Sequence, residues 1–222
     1  MSTGEVSEVR AFRARYLEEH VGPRYNGWLH FATTSIGSLA AIAVAVSRVR
    51  SPSRAELAAV PLFFLIANLG EYFGHRGPMH HRKRGPLKII FERHTQQHHH
   101  FYTHDAMAAD TPRDFQMVLF PPAMLIFFLG FLATPIGLVL GFLGTPNLGW
   151  LFGATAMSYF LTYEWLHWSY HQPHTSWIGR NPLVRVLRRH HTIHHDLRRM
   201  TSVNFNITFP IADRIFGTSA RE

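Results

Sequence analysis

The feature that most constrains the fold is where charge is missing. Residues 28 to 47, "WLHFATTSIGSLAAIAVAVS", carry no formal charge, and as a helix they could cross a hydrocarbon layer about 30 Å thick. A second run, 57 to 74, "LAAVPLFFLIANLGEYFG", has Pro61 near its start and Glu71 near its end. Residues 115 to 145 are uncharged but contain Pro121, Pro122 and Pro135, which allows one long kinked helix or a helix plus a re-entrant piece. Residues 148 to 171 form a last run, with Glu164 near its end. Soluble domains rarely show such runs, whereas bilayer-spanning helices require them. The sequence therefore predicts an all-α integral membrane protein with about four transmembrane helices, at 28–47, 57–74, 115–145 and 148–171. An N-terminal segment, 1–27, precedes them, and polar loops occupy 75–114 and 172–222.

Four spans put both termini on one side, and the charges then divide unequally. Of 22 Lys and Arg residues, only Arg48, Arg50 and Arg54 fall on the opposite side. The positive-inside rule places both termini and both histidine-rich loops in the cytoplasm. The net charge of +8 reads the same way, as cytoplasmic flanks facing anionic headgroups rather than as a nucleic-acid surface. The opening "MSTGEVSEVRAFRARYLEEH" lacks an apolar core followed by a cleavage site, so no signal peptide is expected.

The loops hold the chemistry. The chain has no cysteine, which excludes disulfides, thiolate haem ligation, iron–sulfur clusters and cysteine zinc sites. In the first half the spacings are His75-x4-His80, then His94-x3-His98-His99 within "HTQQHHHFYTH". In the second half they are His167-x3-His171, then His191-x2-His194-His195. Histidines four apart share a helix face, and adjacent ones can serve different ions. A single histidine at a membrane edge reads as an amphipathic interfacial side chain, the assignment given to His20, His30 and His174. Ten in spaced groups at one face read as a metal site, and ten ligands exceed one ion's needs and imply two. Imidazole suits zinc, copper, iron and nickel, so the ligands alone do not name the metal. Each half has two spans, a Glu near the end of the second and two histidine groups after it, which suggests a pseudo-twofold site.

These four boxes resemble the fatty acid hydroxylase and sterol desaturase superfamily of integral membrane di-iron oxygenases. The tail "NFNITFPIADRIFGT" resembles that superfamily's C-terminal signature, and the likeness covers roughly residues 60 to 218. It implies a helical membrane fold with a cytosolic helical cap over a dimetal site, two iron ions (zinc can replace them in a purified sample), and dioxygen as co-substrate. It also implies hydroxylation or desaturation of a lipid, with electrons from a separate carrier, a ferredoxin or small cytochrome with its reductase. The carried-over ligands are His75, His80, His94, His98, His99, His167, His171, His191, His194 and His195. The first cluster has three residues before its adjacent pair where the hydroxylase branch has two, so the pair is either His98 and His99 or His99 and His100.

Around these ligands, Glu71 and Glu164 read either as acceptors that orient imidazole N–H groups or as helix-end carboxylates paired with arginine. Asp105 and Asp196 share that ambiguity, and His81, His100, His104 and His190 are candidates for supporting or alternative ligands. Arg188, Arg189, Arg198 and Arg199 read first as cytoplasmic anchors, and second as a grip on a lipid headgroup or an acidic electron donor. Tyr159, Phe160, Tyr163, Trp165 and Trp168 read as interfacial belt and helix packing. The favoured function is hydroxylation of a fatty acyl C–H bond. Behind it stand a sterol or carotenoid desaturase or hydroxylase, a metal transporter and a non-catalytic metal-binding membrane protein.

Overall fold

The computed structural model describes residues 3–82 and 84–220, and every regular element among them is a helix. The chain divides into two compact units. One comprises Trp28–Ala67 and Phe120–Trp165, and the other Met1–Gly27, Asn68–Leu119 and Leu166–Glu222.

Among the described residues, three helices are long and apolar enough to cross a membrane: Gly27–Arg48, Arg54–Met79 and Pro122–Leu143. They bury little of their own apolar surface, and Ile36, Leu138 and Phe142 are 67%, 69% and 89% exposed. Side chains displayed in that density need hydrocarbon around them. The last expected span is also a helix, Pro146–Tyr170, and its 25 residues are long enough to cross. Its tyrosines, threonines and Glu164 leave it less apolar than the other three, so composition alone supports three spans rather than four.

The third run begins later than expected. Phe115–Val118 is a short helix of the other unit, Leu119 and Pro121 are extended, and the membrane-length helix starts at Pro122. Tandem prolines force this break: Pro121 disfavours helix in the residue before it, and Pro122 suits a helix's first turn because its missing N–H would be unpaired there anyway. From Pro122 the helix is continuous, with a π-helical stretch, Phe128–Ala133, just before Pro135. Of the two forms the prolines allow, the long helix with an internal irregularity is therefore the one adopted.

Breaking the chain at Phe120 frees a backbone N–H and C=O in an apolar setting, where each unpaired group is costly. Both find partners. Glu164 accepts the Phe120 N–H with each carboxylate oxygen at 3.3 Å, and His30 Nε2 donates to the Phe120 carbonyl at 2.9 Å. His30 is therefore a buried backbone partner rather than the interfacial side chain expected, and Glu164 caps a proline break. Tyr159, Phe160 and Tyr163 pack inside the same unit, with Phe120 stacked on Tyr163 at 5.1 Å.

At its other turn this unit is set by polar contacts local to the chain. Ser53 and Glu56 form a capping box, each bonding the other's backbone N–H at 2.6 and 3.2 Å, which starts the helix at Arg54. Helices Thr134–Leu143 and Pro146–Tyr170 then touch backbone to backbone, because a Cβ on Gly149 would lie 2.3 Å from the Gly137 carbonyl oxygen. Gly149→Ala should cost about 1–3 kcal/mol through overpacking, read as a lower Tm in detergent. A Cβ at Gly153 meets nothing within 4 Å, so Gly153→Ala should leave Tm unchanged or slightly raised; equal losses at both positions would contradict the close approach.

Candidate metal centre

All ten box histidines belong to the second unit, and the local helix type explains their spacings. His75 and His80 are five apart, as are His94 and His99. The backbone is π-helical over His75–Met79 and Glu92–His98, and i→i+5 bonding brings residues five apart into register. The extra residue in the first cluster is taken up by that wider turn. His167 and His171 lie four apart on a regular helix, as do His191 and His195 at the end of helix Pro182–His194. Asn181 starts that last helix, accepting the Leu183 and Val184 N–H groups with Pro182 at the first position.

The histidines converge as two groups of five, all buried, and within each group one nitrogen per residue lies within 4.8 Å of every other. The first group is His75, His80, His94, His99 and His194, and the second is His98, His167, His171, His191 and His195. Adjacent histidines separate, His98 from His99 and His194 from His195, because neighbours on a helix point about 100° apart. His99 and His195 stack at 4.3 Å, so the groups are neighbours. His100 is exposed and bonded to the Thr95 carbonyl instead.

Hydrogen bonds at the opposite ring nitrogen settle the tautomers. His75 donates from Nδ1 to the Phe205 carbonyl, and His194 to the Val203 carbonyl at 2.9 Å. In the second group His98 donates to Met117 O and His171 to Met107 O, both at 2.8 Å, and His195 to Tyr102 O. A carbonyl oxygen only accepts, so each of these Nδ1 atoms holds the proton and each Nε2 presents a bare lone pair. Nε2 atoms face one another at 2.8 to 3.2 Å around His75, His80, His94, His99 and His194, and at 3.0 to 3.3 Å in the second group. Lone pairs so close repel unless a cation lies among them. Metal–nitrogen bonds of about 2.0–2.1 Å would set neighbouring ligands about 2.9–3.4 Å apart, so the residues present fit a bound metal ion in each group.

Burial pushes His80, His94, His98, His99, His191, His194 and His195 below the ordinary imidazole range, His98 to about 3. These imidazoles are therefore neutral at physiological pH, the form that can bind metal.

The chain's C-terminal segment carries the acceptors of the first group. Asp213, fully buried, accepts the Phe205 and Asn206 N–H groups at 2.9 and 2.8 Å, the Thr218 hydroxyl at 2.7 Å and His190 Nε2 at 3.1 Å. Burial alone would raise its pKa, but these four bonds outweigh that and lower it. Glu71 accepts the Ile207 and Thr208 N–H groups and the Thr208 hydroxyl. It thus fixes the strap whose carbonyls orient imidazoles. Asn68, Asn204 and Asn206 complete the strap: Asn206 donates to Asn68 O at 3.1 Å, and Asn204, at φ 59°, donates to His190 O at 2.8 Å. The sequence of this tail resembles a signature but assigns neither Asp213 nor the asparagines a task. The presence of side chains that favour backbone pairing was the only available signal.

The remaining candidates are peripheral. His81 bonds the Arg76 carbonyl, His104 pairs with Asp105 at 3.2 Å, and Asp196 accepts the Arg198 N–H at 2.9 Å. Arg188 is buried, donating at 2.8 Å to Ser169 O in the last turn of helix Pro146–Tyr170, at 3.0 Å to Gln172 O just past its end, and to His174 at 2.8 Å. It serves as a helix C-terminal cation, which removes it from any headgroup grip. Trp168 is buried edge-on to Phe115 at 5.7 Å, so it belongs to packing rather than an interfacial belt. An open cleft of about 850 Å³ and mixed lining reaches His195, with Arg15, His100, His104, Asp105 and Arg198 in its walls.

Helices displaying apolar surface in one unit, and ten imidazoles gathered into two groups of five in the other, define a membrane protein built around histidine-only sites that could hold metal. Residues 60–218 match the family model described as fatty acid hydroxylase, within the histidine-box membrane oxygenase superfamily, and the chain belongs to that family. No curated protein and no solved structure matches it.

Asp213→Asn should destabilise the protein by about 1–3 kcal/mol, because one amide oxygen cannot satisfy four donors. The folded-state pKa of Asp213 is depressed, so its stabilisation is complete above the ordinary carboxylate range and is lost as pH falls through the lower folded value. The Tm gap between wild type and Asp213→Asn should thus be constant near neutrality and shrink in acid. A gap that widened in acid would contradict the network.

Proposed function

We propose that each group of five histidines holds one iron ion and that the protein inserts one atom of dioxygen into a C–H bond of a membrane lipid. The observation that carries this reading is the locked tautomer: backbone carbonyls hold two imidazoles of the first group and three of the second, so that Nε2 lone pairs meet at a buried point in each. A donor set without thiolate or bridging carboxylate suits a divalent first-row metal, and the family favours iron. When bound, the two ions supply the redox chemistry of dioxygen activation. The balance is R–H + O₂ + 2e⁻ + 2H⁺ → R–OH + H₂O, so an external reductant is required. We assign that role to a separate donor, a ferredoxin or small cytochrome with its reductase.

The protein's own part is placement and exclusion. Carbonyl bonds keep Nδ1 protonated and the ring in one orientation in His75, His98, His171, His194 and His195, so little reorganisation of these five accompanies metal binding. Burial of all ten rings keeps bulk water away, which protects a reactive site from side reactions. The cleft at His195 is the proposed side for electron and proton entry, where Arg15 and Arg198 suit an acidic donor. A separate apolar groove of about 800 Å³, lined by Gly37, Ala41, Ala133, Gly137, Gly149 and Met157 among others, has the size and chemistry for an acyl chain. We place Pro146–Tyr170 as a fourth span, with both termini and the histidine unit in the cytoplasm, on the distribution of Lys and Arg.

Two experiments test this. Host lipids compared with and without the active protein should show a species heavier by one oxygen atom, about 16 mass units, labelled when ¹⁸O₂ is supplied. Iron-loaded protein given reductant and dioxygen that yields no oxygenated lipid would sink the oxygenase reading and leave a binding or transport role. His98→Ala and His194→Ala strike different groups, so each should lose about one metal ion per chain and all product; normal turnover in either would refute the assignment.

A further inference from the structure

The N-terminal helix Thr3–His20 lies outside the residues that match the family. Of its described side chains, only Arg13 and Tyr16 are buried, one turn apart on the same face. Arg10 and Arg15 on the same helix remain exposed, so burial at position 13 is a specific choice. A desolvated guanidinium is costly unless its N–H groups are matched by acceptors, and Arg13 has four. Nε donates to Phe101 O at 2.7 Å, one terminal nitrogen donates to Ala108 O and to Asp110 Oδ2, each at 2.9 Å, and the other donates to Ala106 O. The guanidinium also lies 5.0 Å from the centre of the Tyr102 ring.

Between the carbonyls that Arg13 takes are those that hold histidines. Tyr102 O, next to Phe101 O, accepts from His195 Nδ1, and Met107 O, between Ala106 O and Ala108 O, accepts from His171 Nδ1. The same loop donates back, His104 N–H to the His195 carbonyl at 3.2 Å and Ala109 N–H to the His171 carbonyl at 2.8 Å. Its Tyr102 ring lies 4.1 Å from the ring of His171. Residues 101–109 therefore form a template gripped by Arg13 through some carbonyls while neighbouring carbonyls fix two histidines. Both belong to the second group, whereas the first group's carbonyl partners, Phe205 and Val203, belong to the C-terminal strap.

We propose that Arg13 is a positioning residue for the second metal site: by clamping the 101–109 loop it sets the orientation of His171 and His195, and so controls metal affinity at that site and not at the first. This rests on the reading that each group binds one ion. Groups that orient metal-bound histidines typically contribute about 10–100-fold in affinity, and Arg13 acts on two histidines through one loop.

The test separates the sites by single-group backgrounds. Metal-stripped full-length chain in detergent is titrated with zinc(II) against a chromophoric chelator, in wild type, in His194→Ala (second group intact) and in His98→Ala (first group intact). Adding Arg13→Gln should weaken zinc binding about 10–100-fold in the His194→Ala background and leave it unchanged in the His98→Ala background. A clip that merely stabilised the fold would weaken both alike, and equal losses, or none, overturn the proposal. Arg13→Lys keeps the charge but cannot reach three carbonyls, so it should show the same selectivity with a smaller loss and decides the matter where Arg13→Gln does not fold. Wild type that binds fewer than two zinc ions refutes the metal reading and this proposal with it. Two ions at unchanged affinity in every Arg13 variant refute the Arg13 assignment alone.

Discussion

The bond from imidazole Nδ1–H to a backbone carbonyl is the interaction on which the rest of the site depends. It is made in both histidine groups, by His75 and His194 in one and by His98, His171 and His195 in the other. Each such bond chooses a tautomer, fixes a ring angle and leaves one lone pair inward. It also sets a demand on the chain, since five carbonyls must turn away from regular helix bonding and toward a side chain. Those carbonyls, at 102, 107, 117, 203 and 205, come from irregular segments or short helices. The irregular backbone after the first histidine cluster and in the C-terminal tail is thereby explained, because a continuous helix would have consumed its own acceptors.

Irregular backbone then needs to be held, and polar residues outside the ten histidines do this. Asp213, Glu71, Asn68 and Asn206 fix the strap around 203–208, while Arg13 and Asp110 fix the loop around 101–109. The same logic operates in the apolar unit, where Glu164 and His30 satisfy the N–H and C=O that the proline break frees at Phe120. Polar side chains in this protein are thus concentrated where backbone cannot satisfy itself.

This division explains what could be read in advance. The apolar runs were legible because exclusion of charge is a local property, and Gly27–Arg48 and Arg54–Gly74 coincide with them to within a few residues. The convergence of the ten histidines follows from spacings that are also local, and of the two pairings open in the first cluster it is His98 and His99, not His99 and His100, whose rings join the groups. The start of the third span was not legible, because 115–119 lacks charge yet belongs with the histidines, its Met117 carbonyl receiving His98. Nor were the tasks of Glu71, Glu164, His30 and Arg13. Each pairs with backbone 44 to 137 residues away in sequence, and no periodicity along the chain carries that information.

The composition of the two groups adds a step to the pseudo-twofold idea. Four members of the first group come from the first half of the chain and the fifth is His194. Four members of the second come from the second half and the fifth is His98. Each half therefore gives one member of its adjacent histidine pair to the other half's group. The geometry follows from the pair itself, since two neighbours on a helix cannot aim at one point. Its consequence is that neither group can be completed by one half alone, so assembling either site requires the two halves to dock. Metal binding to such a site would act as a clasp, stabilising only the state in which His98 and His194 have both crossed over.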